Sequence, residues 1–438
     1  MNAEVKQMRT QAELAIAAAF AAHRDSLAGA KAERADAFKM FEQAGLPHRR
    51  VEEWKYTDLR ALMREAPPLA TKPDASALAD AKDASRLAGV RTRRLVLVNG
   101  IFEPVLSDLA DLEPGLSIAS LHNALTAANH DLSALGNTVR NDNVVVALNT
   151  AFMNDGFIIH VAAGTEVKRP LHVVHVFAGR EAAAIYTRSL CVVEKDAKVT
   201  VIESFEGPDA IAYQTNTAME FRIGDNAEVD RVKIGREGDK ALHLSSVMTL
   251  VGASAKVRDF ALTTGGAVTR NQLFVQLDGE DTELTIAGGN LQRGAQHVDT
   301  TMVVDHTAVG CVARERFKSV LDDNARNVFQ GKIVVRQAAQ QTDAKMATNA
   351  LLLSEDAEAD NKPELEIFAD DVQCGHGATA GALDEDLLFY LRARGIPLKE
   401  AEALMIQSFV GEAIETVASE PLREVLVGFA EDWLKARA

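Results

Sequence analysis

The sequence predicts a mainly β protein: a parallel β-helix (solenoid) core flanked by N-terminal and C-terminal α-helical regions. Three observations predict it. The middle of the chain is rich in Val, Ile, Thr and Gly and carries an internal repeat, the opening is rich in Ala, Glu, Lys, Arg and Leu, and the tail returns to apolar residues at helical spacing. At 438 residues the chain exceeds what one hydrophobic core usually sustains, so two or three structural units are expected. The texture divides it into an N-terminal helical region with linker (1–90), an α/β connecting segment (91–154), the β-helix (155–380) and a C-terminal helical domain (381–438).

Residues 4–45 are nearly free of β-branched side chains and favour helix, and Gly45 followed by Pro47 is a stop signal. Beyond it, Glu52-Glu53-Trp54-Lys55-Tyr56-Thr57-Asp58-Leu59 sets two aromatics among mixed charges. Trp54 and Tyr56 are expected to pack this arm onto the rest rather than to stack a ligand. Pro67-Pro68 and Lys72-Pro73 then open a linker.

The repeat is an apolar residue, three small or polar residues, Ala or Thr, one residue, then apolar. It occurs as Val161-Ala-Ala-Gly-Thr165-Glu-Val167, Val193-Glu-Lys-Asp-Ala197-Lys-Val199, Ile223-Gly-Asp-Asn-Ala227-Glu-Val229 and Val251-Gly-Ala-Ser-Ala255-Lys-Val257. Weaker copies follow from Leu277, Val304 and Leu321. Each reads as strand, tight turn, strand, because Gly, Asp, Asn and Ser tolerate the turn and Val or Ile suits the pleats. Short strands that cannot bury a face alone are expected to stack into a solenoid; a jelly roll or sandwich built from similar hairpins is the alternative.

Helix returns near Asp384, where Asp384-Glu385-Asp386 supplies negative charge at a helix start and Arg392, Arg394 and Gly395 the matching end. A second helix begins at Pro397 and a third runs from about Pro421 to Lys435, each with apolar residues near 3.6-residue spacing. This tail either caps the middle or docks a partner.

Composition removes several function classes. With 47 Lys+Arg against 63 Asp+Glu and a net charge of −16, nucleic acid is not an expected partner. The longest apolar stretch, Leu14 to Ala22, is far short of the roughly 20 residues that span a bilayer, so no membrane association is expected. No charged-then-apolar leader is recognisable, and the three cysteines are odd in number and widely separated; both point to a reducing, cytoplasmic setting.

No Gly-x-x-x-x-Gly-Lys-Ser/Thr loop, His-Glu-x-x-His or paired Cys-x-x-Cys motif is present, and Gly375-His376-Gly377-Ala378-Thr379-Ala380-Gly381 has the wrong spacing and context for a dinucleotide loop. His160, His172 and His175 lie in or beside apolar strand runs and read as hydrogen-bonded structural residues, with His172 and His175 on opposite faces. His306 falls in a turn of the repeat and is expected to be solvated, while Cys191 and Cys311 read as small buried hydrophobes. Cys374 and His376 are different: a thiol and an imidazole at i and i+2 of an extended stretch share a face and could reach one metal ion. Two ligands do not close a tetrahedral site, so the others must come from elsewhere, and a purely structural role stays open, because Asp370-Asp371 turns the chain and leaves the register unread. The acidic residues Asp322, Asp323, Asp370 and Asp371 motivate an alternative, a stand-alone β-solenoid enzyme acting on polysaccharide.

Several long segments in order resemble the SufB/SufD core family of the SUF iron-sulfur cluster assembly machinery. They are Phe317-Lys-Ser-Val-Leu-Asp-Asp-Asn-Ala325, Gln330-Gly-Lys-Ile-Val-Val-Arg-Gln337, Asn361-Lys-Pro-Glu-Leu-Glu-Ile-Phe-Ala-Asp-Asp371, Cys374-Gly-His-Gly-Ala-Thr379 and Phe389-Tyr-Leu-Arg-Ala-Arg-Gly-Ile-Pro397. Glu52-Glu-Trp-Lys-Tyr-Thr-Asp58 and Leu97-Val-Asn-Gly-Ile-Phe102 look like the family's N-terminal region, so the resemblance spans nearly the whole chain. The Cys-x-His-Gly form at Cys374 places it nearer the SufD branch. The resemblance implies a right-handed β-helix and a non-enzymatic scaffold subunit. It also implies a SufB-type paralogue bound through the β-helix and a SufC-type ABC ATPase bound through the C-terminal helical domain. It marks His376, and less firmly Cys374, as metal-site residues toward a nascent iron-sulfur cluster or iron shared with the partner subunit.

Overall fold

Helices lead the chain in the computed structural model, which describes residues 8–127, 132–139 and 142–437. Helix α1 (Gln11–His23) starts in a capping box in which Thr10 accepts from the Glu13 backbone and Glu13 reaches back to Thr10. Helix α2 (Lys31–Ala44) ends at Gly45, whose positive φ only glycine adopts cheaply; residues 4–7 of the predicted helix lie outside the described residues. Two short helices follow, α3 (Leu59–Leu62) and α4 (Ala75–Ala81), the latter inside the stretch read from sequence as linker, where Asp74 caps its first turn. Strands β1 (Arg93–Val98), β2 (Ile101–Phe102) and β3 (Leu116–Ser120) and helices α5 (Leu121–Ala127) and α6 (Val144–Phe152) complete the approach to the solenoid.

Eight rungs follow among the described residues, each giving one strand to each of two sheets. They are β4 (Phe157–Val161) with β5 (Leu171–Val176), β6 (Ala184–Val193) with β7 (Lys198–Glu206), β8 (Gln214–Ile223) with β9 (Glu228–Arg236) and β10 (Leu242–Val251) with β11 (Lys256–Thr263). Then come β12 (Val268–Leu277) with β13 (Glu283–Gln292), β14 (His297–His306) with β15 (Val312–Leu321), β16 (Arg326–Val335) with β17 (Asp343–Leu352) and β18 (Glu358–Ile367) with β19 (Gln373–Gly381). Every pairing between rungs is parallel, as in a β-helix and unlike the antiparallel jelly roll.

The repeat read from sequence is the register itself. Val161 pairs with Val193, Val193 with Ile223, Ile223 with Val251 and Val251 with Leu277. One residue per turn takes the left-handed conformation, in order Gly164, Asp196, Asn226, Ser254, Asp281, Gly310 and Gln341. Two weak copies sit elsewhere than the repeat implies. Strand β14 runs on to His306, so its turn begins two residues later than Val304 implies, and Leu321 ends β15 in the opposite sheet and marks the other turn. His306 is therefore not a solvated turn residue: it is fully buried at the end of its strand.

Alternate residues of each strand fill the lumen, where one apolar cluster runs from Leu95 to Ala369. The outer face of the ten-stranded sheet is also apolar, because Ile202, Val232, Ile234, Phe260 and Leu262 pack beneath the last two helices of the chain, α8 (Leu398–Ile414) and α9 (Glu420–Arg437), which follow α7 (Glu385–Ala393). Within the lumen, the middle rungs carry charge. Arg231 bonds Glu203 at 2.7 Å and Asp259 at 2.9 Å, while Lys233 meets His243 at 2.7 Å and His243 pairs with Glu237.

Replacing Arg231 with Met leaves Glu203 and Asp259 buried without a counter-charge, and a destabilisation of about 3–5 kcal/mol is expected in urea denaturation. A loss under about 1 kcal/mol would show that these carboxylates are not held as ions. Burial also holds His172, His175 and His306 unprotonated, down to about 3, 4 and 4 against an ordinary 6.5. At these rings the unfolded chain therefore takes up protons first, so their contribution to stability is constant above pH 6.5 and falls as the pH drops from there toward 4. Denaturation midpoints measured across that window should decline, and a flat profile would contradict the burial of these rings.

Candidate functional site

The two ends of the solenoid are finished differently. At the N-terminal end, β2 pairs antiparallel with β1 and β3 antiparallel with β4, so each sheet stops in a short reversed strand. At the other end, β18 and β19 are edge strands with no further neighbour among the described residues. Their exposed backbone is a template for another strand, and a solenoid normally requires a polar cap there. Instead, Ile367 and Phe368 are exposed at the last corner, Phe368 at 58%.

Cys374 and His376 lie on this last rung. In-register pairing sets Cys374 beside Ala344 and His376 beside Met346, and Ala344 and Met346 are lumen residues, so both candidate ligands face the interior at its open mouth. Cys374 is half-buried against the core and His376 exposed. Among the described residues, no group of three or more His, Cys, Asp or Glu side chains comes together to hold a metal. Gly375 and Gly377 point to the opposite face, and a Cβ built on either meets nothing within 4 Å, so neither is required by contacts within this chain. Burial, with the nearby Asp343 carboxylate adding to it, pushes the Cys374 thiol above its ordinary value, so it stays protonated at neutral pH.

Beneath the mouth lies a residue that composition gave no reason to notice. Glu315 sits on the same lumen column as His376, in register with Ile286 on one side and Met346 on the other. The signal was available in the alternation: Ala313 and Phe317 face the core, so Glu315 between them does too. The other histidines separate as expected. His172 faces outward and bonds Ser204 at 2.8 Å, His175 faces inward onto Phe205, and His160 bonds Glu194 at 2.9 Å on the surface. Cys191 and Cys311 are buried. Of the acidic turn residues, Asp322 is paired with Arg437 and Asp323 accepts from the Gly294 backbone, so both are occupied structurally.

Two flanking features bear on the mouth. The arm holding Trp54 crosses the outer face of the nine-stranded sheet: the Arg270 guanidinium lies 3.7 Å from the Trp54 ring centroid and bonds Asp299, to which Thr57 also donates. The Glu53 carbonyl accepts from Arg270 at 2.7 Å and from Gln330 at 3.1 Å, and Glu52 reaches Lys362 on the edge strand at 2.6 Å. On the tail, α8 and α9 pack onto the ten-stranded sheet, while α7 has no buried residue and presents Leu387, Phe389 and Tyr390 to solvent.

Sequence profiles of two regions match the chain: "SufBD protein N-terminal region" over residues 11–173 and "SUF system FeS cluster assembly, SufBD core domain" over 175–409. The chain is 31% identical over 385 residues to the iron-sulfur cluster assembly protein SufD of Escherichia coli, covering 87% of this chain and 88% of that one. It is likewise 31% identical to an iron-sulfur cluster assembly SufBD family protein of Synechocystis, covering 85% and 84%, and 28% identical to SufD of Bacillus subtilis, covering 66% and 67%.

Under native conditions one thiol per chain should react with a small alkylating reagent, at Cys374, and the rate should climb as the pH rises through and beyond the ordinary thiol range. Unfolding should expose all three. Native labelling of Cys191 or Cys311, read by peptide mass spectrometry, would contradict the packing described.

Proposed function

The chain belongs to the SufBD family, a component of iron-sulfur cluster assembly, and from that premise we propose that it is a scaffold subunit whose last rung is half of a site completed by a partner. One observation carries the reading: the solenoid is closed at one end and open at the other, and the open end bears Cys374 and His376 on its lumen-facing positions. Thiolate and neutral imidazole suit iron, and two ligands with no third among the described residues are what a site shared between subunits requires of each side. The nascent iron-sulfur cluster, or iron, is the cargo of this site, held between subunits and passed on.

The partner at this end is a SufB-type paralogue that extends the two sheets from β18 and β19. Unpaired strand edges, the exposed Ile367 and Phe368 and the empty space over Gly375 and Gly377 support close backbone approach there. A SufC-type ABC ATPase docks on the C-terminal helices, a reading supported by the apolar surface of α7, where Phe389 is 74% exposed. Nucleotide-driven movement of that subunit would open and close the shared site. No helix among the described residues is long and apolar enough to cross a membrane.

In a complex reconstituted with paralogue and ATPase, His376→Ala should abolish cluster formation, followed by visible absorbance and by iron and sulfide content, while the subunits still co-purify. Full cluster yield from that variant would remove His376 from the role assigned here. Ile367→Asp with Phe368→Asp should cost the paralogue at least tenfold in affinity, roughly 1.4 kcal/mol, and leave the ATPase bound. The opposite pattern would place the paralogue elsewhere.

A further inference from the structure

Glu315 has no task in the reading above. Its side chain is 2% exposed, and neither carboxylate oxygen has a hydrogen-bond partner among the described residues. The lumen carboxylates of the middle rungs are answered, Glu203 and Asp259 by Arg231 and Glu237 by His243. Glu315 is not: its inward neighbours are Ala313 and Phe317 on its own strand, and Ile286 and Met346 in register on either side. With burial the sole influence on it, the carboxyl is pushed up to about 8 and is protonated at neutral pH. The other titratable groups facing the lumen at this end are His306, Cys311 and Cys374, each kept uncharged by burial, with His376 at the mouth, and the nearby Asp343 on β17 is paired with Arg314.

A single rung, that of Ala344 and Met346, separates Glu315 from Cys374 and His376, so two strand steps put the backbones about 10 Å apart. Once ionised, Glu315 acts on that rung across the Met346 layer alone. Across an apolar lumen such an interaction is poorly screened by salt or water.

Resting on the end-rung reading of Cys374 and His376, we propose that Glu315 is the charge-compensating group of that rung, holding a proton while the rung is empty and releasing it when a divalent cation is taken up. The charges balance without any electron transfer. Cys374 loses its thiol proton to become a thiolate ligand, His376 binds as neutral imidazole, and Glu315 loses the second proton to solvent. Two negative charges then face the two positive charges of the cation. His376 and Cys374 alone would leave one charge unanswered at the open end of an apolar core.

The test uses the full chain co-purified with its paralogue and zinc as the probe. Proton release per zinc bound, from calorimetry at neutral pH in buffers of different ionisation enthalpy, should fall by close to one proton in Glu315→Gln, which is isosteric with the neutral acid. Infrared difference spectra of the unmutated complex should show a carboxylic-acid C=O band that disappears when zinc is added and is absent from the Gln variant. Unchanged proton release in the variant, or a band that persists with zinc bound, would overturn the role of Glu315 alone. If His376→Ala takes up zinc with the same affinity and proton count as the unmutated complex, or if neither binds, the end-rung reading fails first and this one with it.

Discussion

Each rung of this protein can bury its lumen face only against the rungs above and below it. That constraint arises because one turn of strands has too little apolar surface of its own to offset the entropy of ordering it. It explains why the register is strict, why one small or polar residue per turn adopts the left-handed conformation, and why the two ends cannot be alike unless both are capped. At the N-terminal end the chain supplies its own reversed strands. At the other the described residues supply no such strand, and the surface left over is where Cys374 and His376 sit. The candidate site and the unpaired edge are one feature viewed from chemistry and from folding.

Much of the architecture could be read from the sequence because turns and helix ends are local. Val161, Val193, Ile223 and Val251 announce the period, Thr10, Gly45 and Asp384 set helix boundaries, and Trp54 packs as an arm residue should. What was hidden depends on which face is covered. In β9 the usual reading of apolar-in and charged-out is inverted: Val232 and Ile234 point outward beneath α8 and α9, while Arg231 and Lys233 point into the lumen. No local pattern reveals this, because the helices that cover the outer face lie nearly 170 residues downstream in sequence.

The same reason left the face of Cys374 undecided and put His306 in the wrong environment. A turn such as Asp370-Asp371 breaks the alternation, and only the pairing of β19 with β17 restores it, by setting Cys374 beside Ala344. Where the period drifts by a few residues per turn, a two-residue error in a weak copy is enough to turn a buried strand end into an apparent loop, as at His306.

The arm that carries Trp54 has a mechanical consequence. A stack of rungs behaves as a one-dimensional array that can peel from an exposed end, each rung released in turn. Here the Glu53 carbonyl is bonded to Arg270 on β12 and to Gln330 on β16, while Glu52 reaches forward to Lys362 on β18. The contact with Lys362 is solvent-facing and weak, so the final rung can loosen cheaply, but peeling that reaches β16 must lift a buried aromatic anchored in the middle of the stack. The arm thus acts as a brake on delamination, confining cheap motion to the one rung that carries Cys374 and His376.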